Sequence, residues 1–112
     1  MGLGKDSKKV FMVDFGLSKR YRDTDTKLLV PYREATSLVG TIRYSSINSH
    51  LGIAQSRRDD LESIMYVLIY FIKGELPWQG LGDENNNKHE KDHLLLNSKL
   101  KMDINELCES LP

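Results

Sequence analysis

This chain of 112 residues has little cysteine: Cys108 is the single one, so no internal disulfide forms, and a reducing compartment suits the sequence. It also lacks a long hydrophobic run. The longest, Ile64 to Ile72, falls well short of the roughly 18 residues of a membrane span, so no membrane association is expected. The first residues lack the apolar stretch of a signal peptide, which gives no reason to expect secretion. Net charge is missing too, with 16 Lys+Arg against 16 Asp+Glu, and this removes the bulk electrostatic argument for nucleic-acid binding. A chain that is 39% hydrophobic with zero net charge does not carry the signature of a disordered tail. The length allows one small domain or part of a larger one.

The zero conceals two opposed halves. Residues 1–58 carry 11 basic and 5 acidic side chains, whereas residues 59–112 carry 5 basic and 11 acidic, so the halves stand at +6 and −6.

Along the chain, Lys9 to Val13 reads as a short buried strand, because Val10, Phe11, Met12 and Val13 follow one another. Asp14-Phe15-Gly16 interrupts it, and Leu17 to Tyr21 is a candidate second strand, giving a short N-terminal β hairpin. Residues 22–48 lack periodicity and read as a long ordered loop, a feature usually tied to function. The firmest expectation is a helix over about 57–73. Ser56-Arg57-Arg58-Asp59 has capping-box spacing, Asp59, Asp60 and Glu62 complement the positive end of its dipole, and Gly74 followed by Pro77 ends it. Between those ends the run Ile64–Ile72 is apolar on every face, as in a helix within a large core. Burial of nine such side chains is worth roughly 13–27 kcal/mol, more than the polar remainder of this chain can enclose. Weaker helices are expected over about 87–100 and from Ile104, the latter capped by Asp103. The fold class is therefore mainly α with a short N-terminal hairpin.

Asp14-Phe15-Gly16 after an apolar strand is the first candidate for chemistry, although Asp and Gly also favour an ordinary turn. Gly40-Thr41-Ile42-Arg43-Tyr44 begins 26 residues beyond Asp14. It is followed by Ser46-Ile47-Asn48, Ser56-Arg57-Arg58-Asp59-Asp60-Leu61-Glu62-Ser63 and Gly74-Glu75-Leu76-Pro77-Trp78-Gln79-Gly80-Leu81. In order and spacing these motifs closely resemble the lower lobe of the casein kinase 1 family of Ser/Thr protein kinases. There Ser-Ile-Asn stands where most kinases have Ala-Pro-Glu, and Pro-Tyr-Arg-Glu, here Pro31 to Glu34, lies in the activation segment. The resemblance spans about residues 1–81 and continues more loosely to Pro112. It implies a partial kinase fold: an activation segment over 9–48, a central helix over 57–73 and peripheral helices over 87–112.

The resemblance also implies roles. Asp14 would ligate the magnesium ion of ATP, and Val13 would line the floor of the nucleotide site. Thr41 would support the catalytic base, and Asp60 would hold the catalytic-loop backbone. Arg43, Gly80 and Lys88 would form a site for acidic or already phosphorylated protein substrates, a task for which the planar fork of arginine is suited. Arg43 also reads as a brace for its loop, and Lys88 as a solvated helix-end charge. The intact enzyme would be monomeric, cytoplasmic or nuclear, and would transfer phosphate from ATP to Ser or Thr.

Three departures from the family stand out. Met65 occupies a position usually held by Gly inside the central helix, and Gly82 to Asn87 replaces a more basic segment. Motifs for a Gly-rich phosphate loop, an ATP-positioning lysine and a catalytic-loop Asp are missing, so a truncated, inactive chain is expected. His89-Glu90-Lys91-Asp92-His93 fits the His-Glu-x-x-His pattern of zinc proteases, with only Glu106 and Glu109 as further acids at plausible separation. A polar helix face is the plainer reading. His50 reads as a hydrogen-bonding loop residue, and Cys108 as an inert thiol.

Overall fold

The computed structural model describes residues 1–34, 37–38, 40–82 and 86–111. Those residues are mainly helical. Four α-helices follow one another: α1 (Ile47–His50), α2 (Arg57–Lys73), α3 (Lys88–Lys101) and α4 (Ile104–Leu107), with short 3₁₀ turns at Gly4–Asp6 and Ile42–Tyr44. None of them is long and apolar enough to cross a membrane.

The helix ends follow from local chemistry. At the start of α2, the Asp59 carboxylate accepts from the Ser56 backbone N–H at 2.7 Å, so Asp serves the capping box despite being shorter than Glu. Gly74 ends the helix in the left-handed region (φ 82°), its N–H donating to the Tyr70 carbonyl. Asn87 and Glu90 exchange reciprocal hydrogen bonds of 3.0 Å at the start of α3. Asp103 caps α4 by accepting from the Asn105 N–H at 2.8 Å.

The core is small and lies wholly within the C-terminal two thirds of the chain. Tyr66 and Ile69 of α2 meet Leu76, Trp78 and Leu107, with Tyr44, Tyr70, Leu95 and Met102 packed around them. Trp78, only 1% exposed, presents its ring at 75° to Tyr66 with centroids 4.8 Å apart. The remainder of α2 departs from the expectation of all-round burial. Leu61, Ile64, Leu68, Phe71 and Ile72 are exposed, and Met65 is half exposed at the edge of a cavity that it lines with Ile69, Met102 and Leu107.

The N-terminal hairpin expected over Lys9–Val13 and Leu17–Tyr21 is also not formed as paired strands among the described residues. A run apolar on both faces needs cover on both. Here Val10, Met12 and Val13 are more than three quarters exposed and lack a partner strand. Antiparallel pairing occurs farther along, where Arg22 bridges Leu29 and the Val30 N–H donates to the Tyr21 carbonyl. Asp23 turns this loop by accepting from the Thr26 and Asp25 N–H groups. The radius of gyration, 16.4 Å, exceeds the roughly 13 Å of a compact chain this long, in keeping with an uncovered N-terminal arm.

Candidate functional site

Ser46-Ile47-Asn48 is locked onto the first turns of α2. Ser46 caps α1 and donates its hydroxyl to Asp59 Oδ1 at 2.9 Å, and Asn48 Nδ2 donates to the same oxygen at 2.9 Å. The Ile47 N–H donates to Glu62 Oε1 at 2.9 Å, and the Tyr66 hydroxyl reaches that oxygen at 2.7 Å. Burial pushes the Asp59 carboxyl up, yet the bonds from Ser56, Asn48 and Ser46 outweigh it and hold the group below the usual carboxylate range. Desolvation and the neighbouring Glu62 push the Tyr66 hydroxyl well upward, so it stays protonated and donates.

This polar junction fixes the 3₁₀ turn that follows Thr41. The Trp78 indole N–H donates to the Arg43 carbonyl at 2.8 Å, which ties the turn to the segment after α2. Thr41, Ile42, Arg43, Trp78, Gln79, Gly80 and Leu95 then surround an open cavity of about 270 Å³. The Arg43 guanidinium lies over the Tyr44 and Tyr70 rings at 5.9 and 5.8 Å and forms no ion pair among the described residues. Its five N–H donors are thus held in place by aromatic faces, which accept no strong hydrogen bond. Gly80, at φ 71°, adopts a conformation that a side chain would strain, and a Cβ there would meet only open space. Backbone conformation, not room, selects glycine.

Three of the residues that stand out in the sequence, Thr41, Arg43 and Gly80, therefore converge on one cavity. The others do not line it. Lys88 is an exposed residue in the first turn of α3, and part of the Gly82–Asn87 segment before it, residues 83–85, lies outside the described residues. Val13 is exposed. Asp14 is exposed in a turn at φ 64°, where its Oδ1 accepts from the Gly16 N–H at 3.2 Å. Among the described residues, no group of three or more His, Cys, Asp or Glu is placed to hold a metal ion. The Asp60 carboxylate is exposed, with no hydrogen-bond or ion-pair partner among the described residues, whereas its neighbour Asp59 is 1% exposed and fully engaged.

The His-Glu-x-x-His stretch lies on α3 with its imidazoles 6.2 Å apart. Glu90 is committed to capping that helix, accepting from Asn87 and Asn86, and His93 Nδ1 meets the Asn97 side chain at 3.1 Å. These bonds are those of a polar helix face.

Nothing in the sequence singles out Lys99. It is 4% exposed, and its ammonium reaches from α3 to the Ile42 and Ser45 carbonyls and to His50 Nε2 at 3.1 Å, with the Tyr66 and Trp78 rings about 5 Å away. Burial pulls its pKa down to about 8. The same cluster lowers His50, through desolvation first and the Lys99 charge second. Lys99 thereby pins α3 beneath the turn bearing Arg43. Its place in Lys99-Leu100-Lys101 gives no sign of this, since Lys101 is the same residue type and is exposed. No protein-family model matches this chain.

Proposed function

We propose that this chain is a lower-lobe portion of a casein-kinase-1-like Ser/Thr protein kinase. It carries the site that recognises acidic or phosphorylated protein segments, and it does not transfer phosphate by itself. The observation carrying the reading is the convergence of Thr41, Arg43 and Gly80, from motifs 37 residues apart, on one open cavity with an arginine free of ion pairs among the described residues. A phosphate or carboxylate entering there would take paired N–H bonds from the Arg43 fork, each charge-assisted. Thr41 and the backbone around Gly80 offer further polar groups at the rim. Magnesium, ATP and the roles of Asp14, Val13 and Asp60 belong to the intact enzyme of this reading.

Phosphoryl transfer depends almost wholly on positioning and charge stabilisation. With no phosphate-loop or catalytic-loop motif in its sequence, the purified chain should transfer phosphate from magnesium-ATP to an acidic Ser-containing peptide no faster than a protein-free control. Clear magnesium-dependent transfer would overturn that part of the reading.

A second reading, a stand-alone phosphopeptide-binding module, is favoured by the same free arginine. The genomic sequence upstream of Met1 separates the two. An in-frame catalytic loop there supports the enzyme, and its absence supports the module. The zinc-protease reading requires the chain to take up equimolar zinc through His89 and His93.

A further inference from the structure

The Lys99 ammonium reaches the turn bearing Arg43 from α3. It donates to the Ile42 and Ser45 carbonyls, which bracket Arg43 and Tyr44, and it meets His50 Nε2 at 3.1 Å. An ammonium has three donors and no acceptor, so His50 Nε2 must offer its lone pair and the ring carries its proton on Nδ1. That contact exists only while His50 is neutral.

We propose that His50 is a pH-sensitive latch on the anion site: neutral, it helps Lys99 hold the Arg43 turn, and protonated, it releases Lys99, so that anion affinity at Arg43 falls. The inference rests on the reading of the Arg43 cavity as an anion site. Neither His50 nor Lys99 lines that cavity, so both are positioning residues and the coupling runs through the turn. Withdrawal of the ammonium leaves the Ile42 and Ser45 carbonyls short of a donor, and that is the penalty passed to the turn.

The groups facing His50 come from three elements. Desolvation and the Lys99 charge oppose its protonation, whereas Asp92 of α3, the Ile42 carbonyl and Glu62 of α2 favour it. Lys99, with its pKa pulled to about 8, is still charged where His50 titrates, so two cations then face each other. Glu62 is already committed to the Ile47 N–H and the Tyr66 hydroxyl. Asp92 is not, for its Oδ1 is buried and has no hydrogen-bond partner among the described residues. Asp92 and Lys99 are seven residues apart, about two turns, and so share one face of α3. A protonated His50 that loses Lys99 thus has an unused acceptor on the helix it already packs against.

Two measurements on the full chain test this between pH 7 and pH 5. In the free chain, the indole N–H NMR signal of Trp78, which bonds to the Arg43 carbonyl, should shift with a midpoint below pH 6.5. His50→Gln, which keeps an acceptor but does not titrate, should abolish that transition, and Asp92→Asn should move its midpoint to lower pH. With a phosphoserine peptide, the wild type should lose about fivefold or more affinity relative to His50→Gln over the same range. The phosphate's own ionisation acts on both proteins alike and cancels in that ratio. A free-chain signal without a transition, or one whose transition survives His50→Gln, would overturn the proposal. If His50→Gln does not fold, a midpoint left unmoved or raised by Asp92→Asn overturns it. Binding at pH 7 with a flat or opposite ratio down to pH 5 overturns the latch alone. No peptide binding even at pH 7 overturns the anion site, and the latch with it.

Discussion

Residues 1–40 expose most of their side chains and none of those described is buried, whereas residues 41–111 hold every buried residue of the core. Both regions contain apolar runs, Val10 to Val13 in the first and Ile64 to Ile72 in the second. The difference lies in what each run can satisfy alone. A helix completes its backbone hydrogen bonds internally and needs only one covered face, so α2 forms with Tyr66 and Ile69 buried and the opposite side bare. A strand must borrow hydrogen bonds from a neighbour, and Lys9–Val13 pairs with no strand among the described residues. The +6 half therefore contains the open arm, and the −6 half contains most of the packed body, with the cavity at Arg43 where they meet.

The sharpest way to break this contrast is Trp78→Ala. It removes a fully buried ring, its edge contact with Tyr66 and its bond to the Arg43 carbonyl. A loss of about 3–5 kcal/mol is expected in urea unfolding, which for a core this small removes cooperative folding.

Next in size is Asp59→Ala, which strands donors from Ser46, Asn48 and Ser56 and should cost about 2–3 kcal/mol. Asp60→Ala, one residue away and exposed, should change stability by less than about 0.5 kcal/mol. Equal effects at the two positions would contradict the bracing role of Asp59.

A smaller effect concerns His50, which lies against Lys99, with Asp92 and Glu62 acting in the opposite sense. Its folded pKa is below the ordinary 6.5, so the unfolded chain takes up the proton first. The stability it contributes is complete above pH 6.5, declines as the pH falls toward the folded value, and then levels off. A melting-temperature series descending from neutral pH should show that decline in the wild type and less of it in His50→Gln. Smallest of all is Phe11→Ala in the open arm, expected to shift stability by less than about 0.5 kcal/mol. A loss above about 1 kcal/mol there would show that residues 1–40 share the core.

Helices are legible in the sequence because their signals are local. Ser56, Asp59 and Gly74 mark the ends of α2, and Asp103 marks the start of α4. Strand pairing is not legible, since it depends on partners distant in sequence. The antiparallel contact forms around the Asp23-to-Thr26 turn rather than in the apolar run before Asp14. Within the site, Arg43, Thr41 and Gly80 are legible from motif order. Lys99 is not, because nothing local distinguishes a buried lysine from a solvated one until the carbonyls of Ile42 and Ser45 are in place. Asp59 leaves a signal in its capping-box spacing, but its second task, holding Ser46 and Asn48, depends on a segment that only the fold brings near.

The central claim, that Arg43 presents a free anion-binding fork, is tested most directly through Trp78. It is the single tryptophan and bonds to the Arg43 backbone, so its fluorescence reports on this cavity. Titration with a phosphoserine peptide should give a saturable change, weakened about tenfold or more by Arg43→Ala with the fold intact, and little altered by Lys88→Ala. A folded wild-type chain that gives no saturable change, or one whose binding survives Arg43→Ala undiminished, would contradict it.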